Sequence, residues 1–204
     1  MFSKVYSAGI CGIDGYLVSV EADASNGLPC FVMVGALAAE VREAQERVRT
    51  ALRNAGIMLA PKKITVNLSP ANRRKEGTAY DVPIAIAVLA SYGIVTDSFL
   101  PEAGLIGELG LNGEIKPVHG VLSMVSVFRE AGLRYCFLPM ENLAEARAIE
   151  GIQSVGVSTL SELIEILSER VPVTRQMPNI HTRENDGQRY LVDFDEINGQ
   201  TLLK

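Results

Sequence analysis

Apolar and polar residues alternate from Phe2 to Ala8 and again from Tyr16 to Ala22, the period-2 signature of half-buried strands. The turn-rich Gly12-Ile13-Asp14-Gly15 joins the two runs, and Asn26-Gly27 marks a further turn before a third strand over Cys30 to Val34. Short turns between successive strands predict an antiparallel meander. The period then changes. Val41, Ala44, Val48, Ala51, Leu52 and Ala55 recur at helical spacing, with Gly56 as a C-cap. The opposite face is charged. Arg42 with Glu46 and Glu43 with Arg47 are i,i+4 pairs, whereas Arg49 and Arg53 have no acidic partner at that spacing.

Lys63 to Leu68 reads as a strand ended by Pro70, and Ala71 to Thr78 as a polar, basic loop. The run after Asp81-Val82-Pro83 is β-branched enough to suggest a strand. Asp81 as N-cap, Pro83 in the first turn and three alanines predict a helix instead. It is apolar all round, so it is expected to lie buried against a sheet. Ala103 to Leu109 and Glu114 to Pro117 flank Gly110-Leu111-Asn112-Gly113, a hairpin signal. Beyond it come a helix over Val121 to Ala131, a strand over Tyr135 to Leu138, a helix over Leu143 to Ile149, a strand over Val155 to Val157 and a helix over Leu160 to Leu167. That alternation predicts parallel additions to the sheet, hence an α/β (α+β) fold with a mixed sheet and packed helices.

Residues 170–189 hold two prolines and few apolar side chains and read as a linker. Tyr190 to Ile197 looks like the start of another element. The longest apolar runs are far short of the roughly 20 residues a membrane span needs, and the first residues lack a signal-peptide layout. No membrane partner and a cytoplasmic location are therefore expected. Cys11, Cys30 and Cys136 form no CxxC pair and read as buried free thiols.

Charge changes the picture more than composition does. The chain carries a net charge of −5. Yet residues 40–76 hold nine basic side chains (Arg42, Arg47, Arg49, Arg53, Lys62, Lys63, Arg73, Arg74, Lys75) against four acidic ones, a net of +5. Such a band is either a polyanion footprint or a solvated helix face followed by a basic turn. The three consecutive cations at 73–75 lie between a buried strand and a buried helix, so they are expected at the surface, where they could reach phosphates or an acidic neighbouring subunit.

Catalytic motifs are sparse. Gly107, Gly110 and Gly113 precede a strand rather than a helix, so they read as a turn and not as a phosphate loop. GxxxxGK[ST] is absent from the sequence. His119, alone before a helix, is a weak metal or catalytic candidate, and His181 in the linker a weaker one. No metal site is expected. Asp81 reads as a helix cap before it reads as a general base.

GLPCFVMVGALAAEVREAQERVRTALRNAG, KKITVNLSPANRRKEGTAYDVPIAIAVLAS and GLIGELGLNGEIKPVHGVL together resemble ComM/YifB proteins, magnesium-chelatase-like AAA+ ATPases. The resemblance spans about residues 3 to 169, with one departure at GALAAE, where the family has something like GLPDAA. It implies a Lon-protease-like domain of the ribosomal S5 domain 2-like fold over 1–169. Residues 190–204 would then begin an AAA+ domain, and the chain would stop before that domain's nucleotide-binding loop. ATP and Mg are thus expected for the full-length parent and no cofactor for this chain.

The resemblance also implies where a Lon peptidase would carry its serine and lysine. Matching EGTAYDVPIA places Asp81 near the serine position, and matching PVHGVLSM places Leu122 at the lysine position. A carboxylate cannot serve as that acyl-forming nucleophile, and leucine cannot take its proton. The dyad thus looks degenerate and no catalytic residue is expected. The functions implied are a non-catalytic module of a DNA branch-migrating, hexameric ring ATPase of natural transformation, a purely structural oligomerisation domain, or a chelatase-like chaperone module. A residual enzyme using Asp81 and His119 stands beside them. Arg49, Arg53, Lys62, Lys63, Arg73, Arg74 and Lys75 are the DNA-binding candidates.

Overall fold

In the computed structural model, residues 1–96 and 98–169 are described. The linker and AAA+ expectations for 170–204, and His181, lie outside the described residues. A seven-stranded sheet runs in the order β3-β4-β2-β1-β5-β8-β9. Its strands are β1 (Phe2–Cys11), β2 (Asp14–Ser25), β3 (Cys30–Val34), β4 (Lys63–Ser69), β5 (Ala103–Leu105), β8 (Tyr135–Pro139) and β9 (Gln153–Val157). A separate two-stranded ribbon joins β6 (Glu108–Leu109) to β7 (Ile115–Lys116).

The alternation of the first two runs does what it predicts. Val5 faces Val20 across the antiparallel β1–β2 pair, and Val20 faces Leu68 across β2–β4, so one row of buried aliphatics crosses three strands. The meander expectation fails at the third strand. β4 inserts beside β2, and β3 pairs in parallel with β4 at the sheet edge. A longer, better-patterned strand has displaced the nearer, shorter one, a non-local choice that turn spacing does not record. β5, β8 and β9 are parallel additions, as the strand–helix alternation predicts.

Two layers of helices cover the sheet. On one face lie α2 (Ala44–Asn54), α3 (Asp81–Ser91) and α6 (Leu160–Leu167); on the other lie α4 (Val121–Glu130) and α5 (Leu143–Ala146). Every residue of α3 is buried, because the helix is sandwiched between β1–β2 and α2. The single helix expected over 41–55 is divided at Glu43 into α1 (Ala39–Arg42) and α2, where a tightened turn carries the Glu46 N–H to the Glu43 carbonyl at 3.0 Å. Gly56 does terminate α2: its φ is +79°, Gly56 N–H donates to the Arg53 carbonyl, and Ile57 N–H donates to that of Leu52, a Schellman ending.

Three further expectations change. Asp81 is not the cap of α3; Tyr80 precedes the helix and Asp81 is its first residue, drawn sideways to Arg47. The hairpin strand is cut at Ile106-Gly107, so β5 stays in the main sheet while β6 leaves it. Only Cys136 is a buried thiol, and burial pushes it above the ordinary thiol range; Cys11 and Cys30 are exposed, at the end of β1 and on the edge strand. No helix among the described residues is long and apolar enough to cross a membrane.

Candidate functional site

The basic residues divide into those that hold the domain together and those left to solvent. Arg47 sits three residues after buried Ala44 and four before buried Ala51, which turns its side chain inward. Its Nε donates to Asp81 Oδ2 at 2.7 Å and its Nη2 to Oδ1 at 2.9 Å, a bidentate pair. The Leu109 N–H donates to Oδ2 at 3.2 Å, and Arg47 Nη2 also reaches the Glu40 carbonyl at 2.8 Å. Both carboxylate oxygens of Asp81 are therefore occupied. Burial pushes the carboxyl above its ordinary range, against the pull of the guanidinium and the Leu109 N–H. This residue joins α2, α3 and β6.

Leu122, at the other matched dyad position, is the second residue of α4 and is 43% exposed. Its neighbour Ser123 donates to the Ile13 carbonyl at 2.8 Å and ties α4 to the β1–β2 turn. His119 is exposed, held just before α4 because Asn142 accepts from the Val118 N–H at 2.9 Å and donates to its carbonyl at 3.1 Å. Three or more His, Cys, Asp or Glu side chains do not converge on a cation position among the described residues. Gly107 to Gly113 cover β6 and the turn into β7 rather than a strand-to-helix loop.

Lys75 corrects the expectation of a surface cation. It is fully buried, and its Nζ donates to the carbonyls of Pro70 and of Arg73, the latter at 2.8 Å. Desolvation holds the ammonium below the usual lysine range. The backbone of Lys75 is pinned as well, its N–H to the Ala36 carbonyl at 2.8 Å and its carbonyl to the Ala38 N–H at 3.0 Å. Lys75 is thus a staple that shapes the loop, and it drops out of the set of surface cations.

That staple presents Arg73 and Arg74. Both are exposed. Arg73 lies over the Tyr16 ring, 4.9 Å from its centroid, and Arg74 pairs with Glu76 at 3.2 Å. The Tyr16 hydroxyl donates to the Arg74 carbonyl at 2.9 Å, so one aromatic side chain supports both arginines. β1 passes close under this ring: a Cβ on Gly9 would stand 2.5 Å from Tyr16 Cζ and 2.5 Å from Tyr80 Oη, so only glycine fits there. Further along the same edge, Arg49 and Arg53 project from the outer face of α2, Arg49 pairing with Glu46 at 3.9 Å. Lys62 lies over the Tyr92 ring at 5.0 Å, and Lys63 is exposed at the start of β4. The structure therefore gathers six of the seven candidates into two groups, exposed Arg73 with Arg74 beyond the end of β4, and exposed Arg49, Arg53 and Lys63 with half-buried Lys62 near its start.

The mixed seven-stranded sheet covered by two helical layers is an α/β domain of the Lon-protease-like, ribosomal S5 domain 2-like class. The family model described as subunit ChlI of Mg-chelatase matches residues 20–142. Competence protein ComM of Haemophilus influenzae is 34% identical over 202 residues, covering 98% of this chain and 39% of ComM. The uncharacterized protein YifB of Escherichia coli is 36% identical over 176 residues, 86% of this chain and 35% of YifB. Lon protease 2 of Bacillus subtilis is 29% identical over 136 residues, 65% of this chain and 24% of that protein. The chain belongs to the Mg-chelatase-like family that includes ComM and YifB. It spans about two fifths of the length of ComM.

Proposed function

We propose that this chain is the N-terminal, non-catalytic module of a ComM/YifB-type AAA+ ATPase and that it contacts DNA. The parent would act in DNA branch migration during natural transformation, using ATP and Mg held outside the described residues. The observation that carries the reading is the arginine pair at 73–74, exposed on a buried-lysine staple and backed by the Tyr16 ring in a protein of net charge −5. Arginine forks at a surface loop suit phosphate oxygens. Arg49, Arg53, Lys62 and Lys63 extend the same basic edge.

Salt dependence tests it. Contact with about five phosphates gives a log–log slope of roughly −3.5 to −4.5 for binding against salt concentration. Fluorescence anisotropy with labelled duplex and single-stranded oligonucleotides measures that slope. A flat profile, or no binding at about 50 mM salt, rejects DNA contact. The sequence-independent nature of phosphate contacts means that changing Arg73 and Arg74 to alanine weakens binding to all sequences alike.

A further inference from the structure

β3 forms one edge of the main sheet, and its sequence CFVMV contains neither a charge nor a proline. Edge strands of soluble proteins usually carry such residues, because unpaired main-chain groups accept another chain. Beside the start of β3, a groove of about 420 Å³ runs between the strand, α2 and residues 57–62. Binding clefts usually measure roughly 300–1,000 Å³. Buried Leu52 and Ile64 with half-buried Phe31 and Leu59 give the groove an apolar lining. Three cations stand on its walls. Arg49 and Arg53 are exposed, and Lys62 lies over the Tyr92 ring at 5.0 Å. Glu46 is the acidic side chain among the lining residues, and it meets Arg49 only at 3.9 Å. The lining therefore carries three cations against one carboxylate, a net of +2, with Arg47, Lys75, Arg73 and Arg74 all outside it. The two faces of the edge are distinct. Phe31 and Met33 pack toward the helices, whereas Cys30, Val32 and Val34 are exposed on the other side, where Lys63 stands in register with Cys30.

An occupant of this edge has to bring apolar side chains and carboxylates together. Residues 190–197, beyond the described part of the chain, read YLVDFDEI. Five of them are apolar, Asp193, Asp195 and Glu196 are acidic and none is basic, a net of −3. The preceding residues 170–189 hold four arginines against Glu184 and Asp186, a net of +2, and are repelled by the same surface. The tether is long enough. The Thr96 hydroxyl donates to the Leu167 carbonyl at 3.0 Å, so the end of α6 lies four residues along the chain from Tyr92, a side chain of the groove wall. Four residues span at most about 14 Å, and the 20 residues 170–189 at most about 70 Å.

We propose that residues 190–197 add in cis to the open edge of β3. Strand addition takes affinity from main-chain bonds and specificity from alternate side chains. Successive residues of an added strand face opposite sides. Tyr190, Val192 and Phe194 then enter the groove with Glu196 toward Arg49, Arg53 and Lys62, while Asp193 and Asp195 face Lys63. Opposite charges orient the segment, and the apolar side chains hold it. Docked, the segment competes with phosphates for these four cations and leaves Arg73 and Arg74 free. In the proposed ATPase the same contact would seat the first residues of the following domain on this one. That consequence rests on the ATPase reading; the docking itself does not.

Hydrogen exchange of the full chain tests it. A tether of this length supplies an effective concentration on the order of 1 mM, so docking with a Kd of about 100 µM keeps the edge covered about nine-tenths of the time and slows exchange about tenfold. That slowing is expected at the outward N–H groups of β3 and within 190–197, at every protein concentration. V192D/F194D is expected to abolish it at both places. R49E/R53E/K63E and D193K/D195K/E196K are each expected to lose it, and a chain carrying both sets to regain it. R73A/R74A is expected to keep it, whatever it does to DNA binding, so the two readings fail separately. Slow exchange in α3, buried throughout, checks that each variant is folded, with R53E as a single-site substitute if the triple variant is not. A wild type whose β3 exchanges as fast as that of V192D/F194D overturns the proposal. Protection that fades on dilution overturns docking in cis, because the segment of a second copy then supplies it. Protection of β3 that persists in V192D/F194D overturns it as well, because a different occupant then covers the edge.

Discussion

Arg47 and Arg49 stand two residues apart on α2 and do opposite work. Arg47 is turned inward and binds the buried Asp81 carboxylate through two hydrogen bonds, whereas Arg49 faces solvent with only a 3.9 Å contact to Glu46. The same contrast separates Lys75 from Arg73 and Arg74 within one tripeptide. One cation is sealed against backbone carbonyls; the other two are displayed. The lesson concerns how a basic stretch is counted. Of nine cations between residues 40 and 76, Arg47 and Lys75 serve the architecture, and only the others are free to meet a partner. Where a charge is buried and paired, its removal is felt in stability; where it is exposed, its removal is felt in binding.

The largest effect expected from this contrast is on the buried pair. Arg47→Ala or Asp81→Ala alone strands one charge and costs about 3–5 kcal/mol of unfolding free energy in urea titrations. Replacing both by apolar residues, Arg47→Met with Asp81→Leu, recovers most of that loss. Single variants costing less than about 1 kcal/mol would mean the pair is not what joins α2 to α3. Next comes the displayed pair. Arg73→Ala with Arg74→Ala leaves the urea midpoint unchanged and makes the DNA salt slope shallower by about 0.9 per lost duplex phosphate contact. Lys75→Met sharpens the comparison, because a lysine absent from the surface takes no phosphate contact away and leaves the slope as it was.

A smaller, pH-dependent effect belongs to Lys75 itself. Burial lowers its folded pKa below the ordinary 10.5, so between the two values the unfolded chain binds more protons than the folded one. Stability contributed at this position therefore rises with pH through that window. Wild type should gain on Lys75→Met as pH is raised from neutral towards 10.5, read as the difference between their urea midpoints. Comparing the two proteins cancels Tyr16 and Tyr80, whose hydroxyls burial pushes upward and which act in the opposite sense once the unfolded tyrosines ionise. A difference that is flat with pH would place Lys75 in water. Smallest of all, Arg49→Ala should change unfolding free energy by no more than about 0.5 kcal/mol.

Much of the fold was legible because local rules agree with the global result. The alternation in 2–25, the helical spacing before Gly56 and the strand–helix alternation after 100 each follow from a face that must be buried, and burial leaves its period in the sequence. The position of β3 was not legible, because strand order depends on which distant partner pairs best. At the candidate site, the run of cations and the matched Asp81 and Leu122 were visible as residue types in order. The role of Asp81 was not visible in them. Its spacing fits a helix cap, and only the approach of α2 from 34 residues away turned its carboxylate to Arg47. A signal was present, since Arg47 falls beside the apolar stripe of its helix, but i,i+4 pairing with Glu43 explained the same residue more cheaply.

By itself, then, the sequence determined the elements, the net charges of the segments and the family to which the chain belongs, since these depend on period, composition and order along one dimension. Tertiary structure alone decided which cations are buried and which stand beside the apolar groove at β3. Burial and proximity are properties of three-dimensional neighbours, and those neighbours are set by long-range pairing, which lays Phe31 beside Ile64 across β3 and β4.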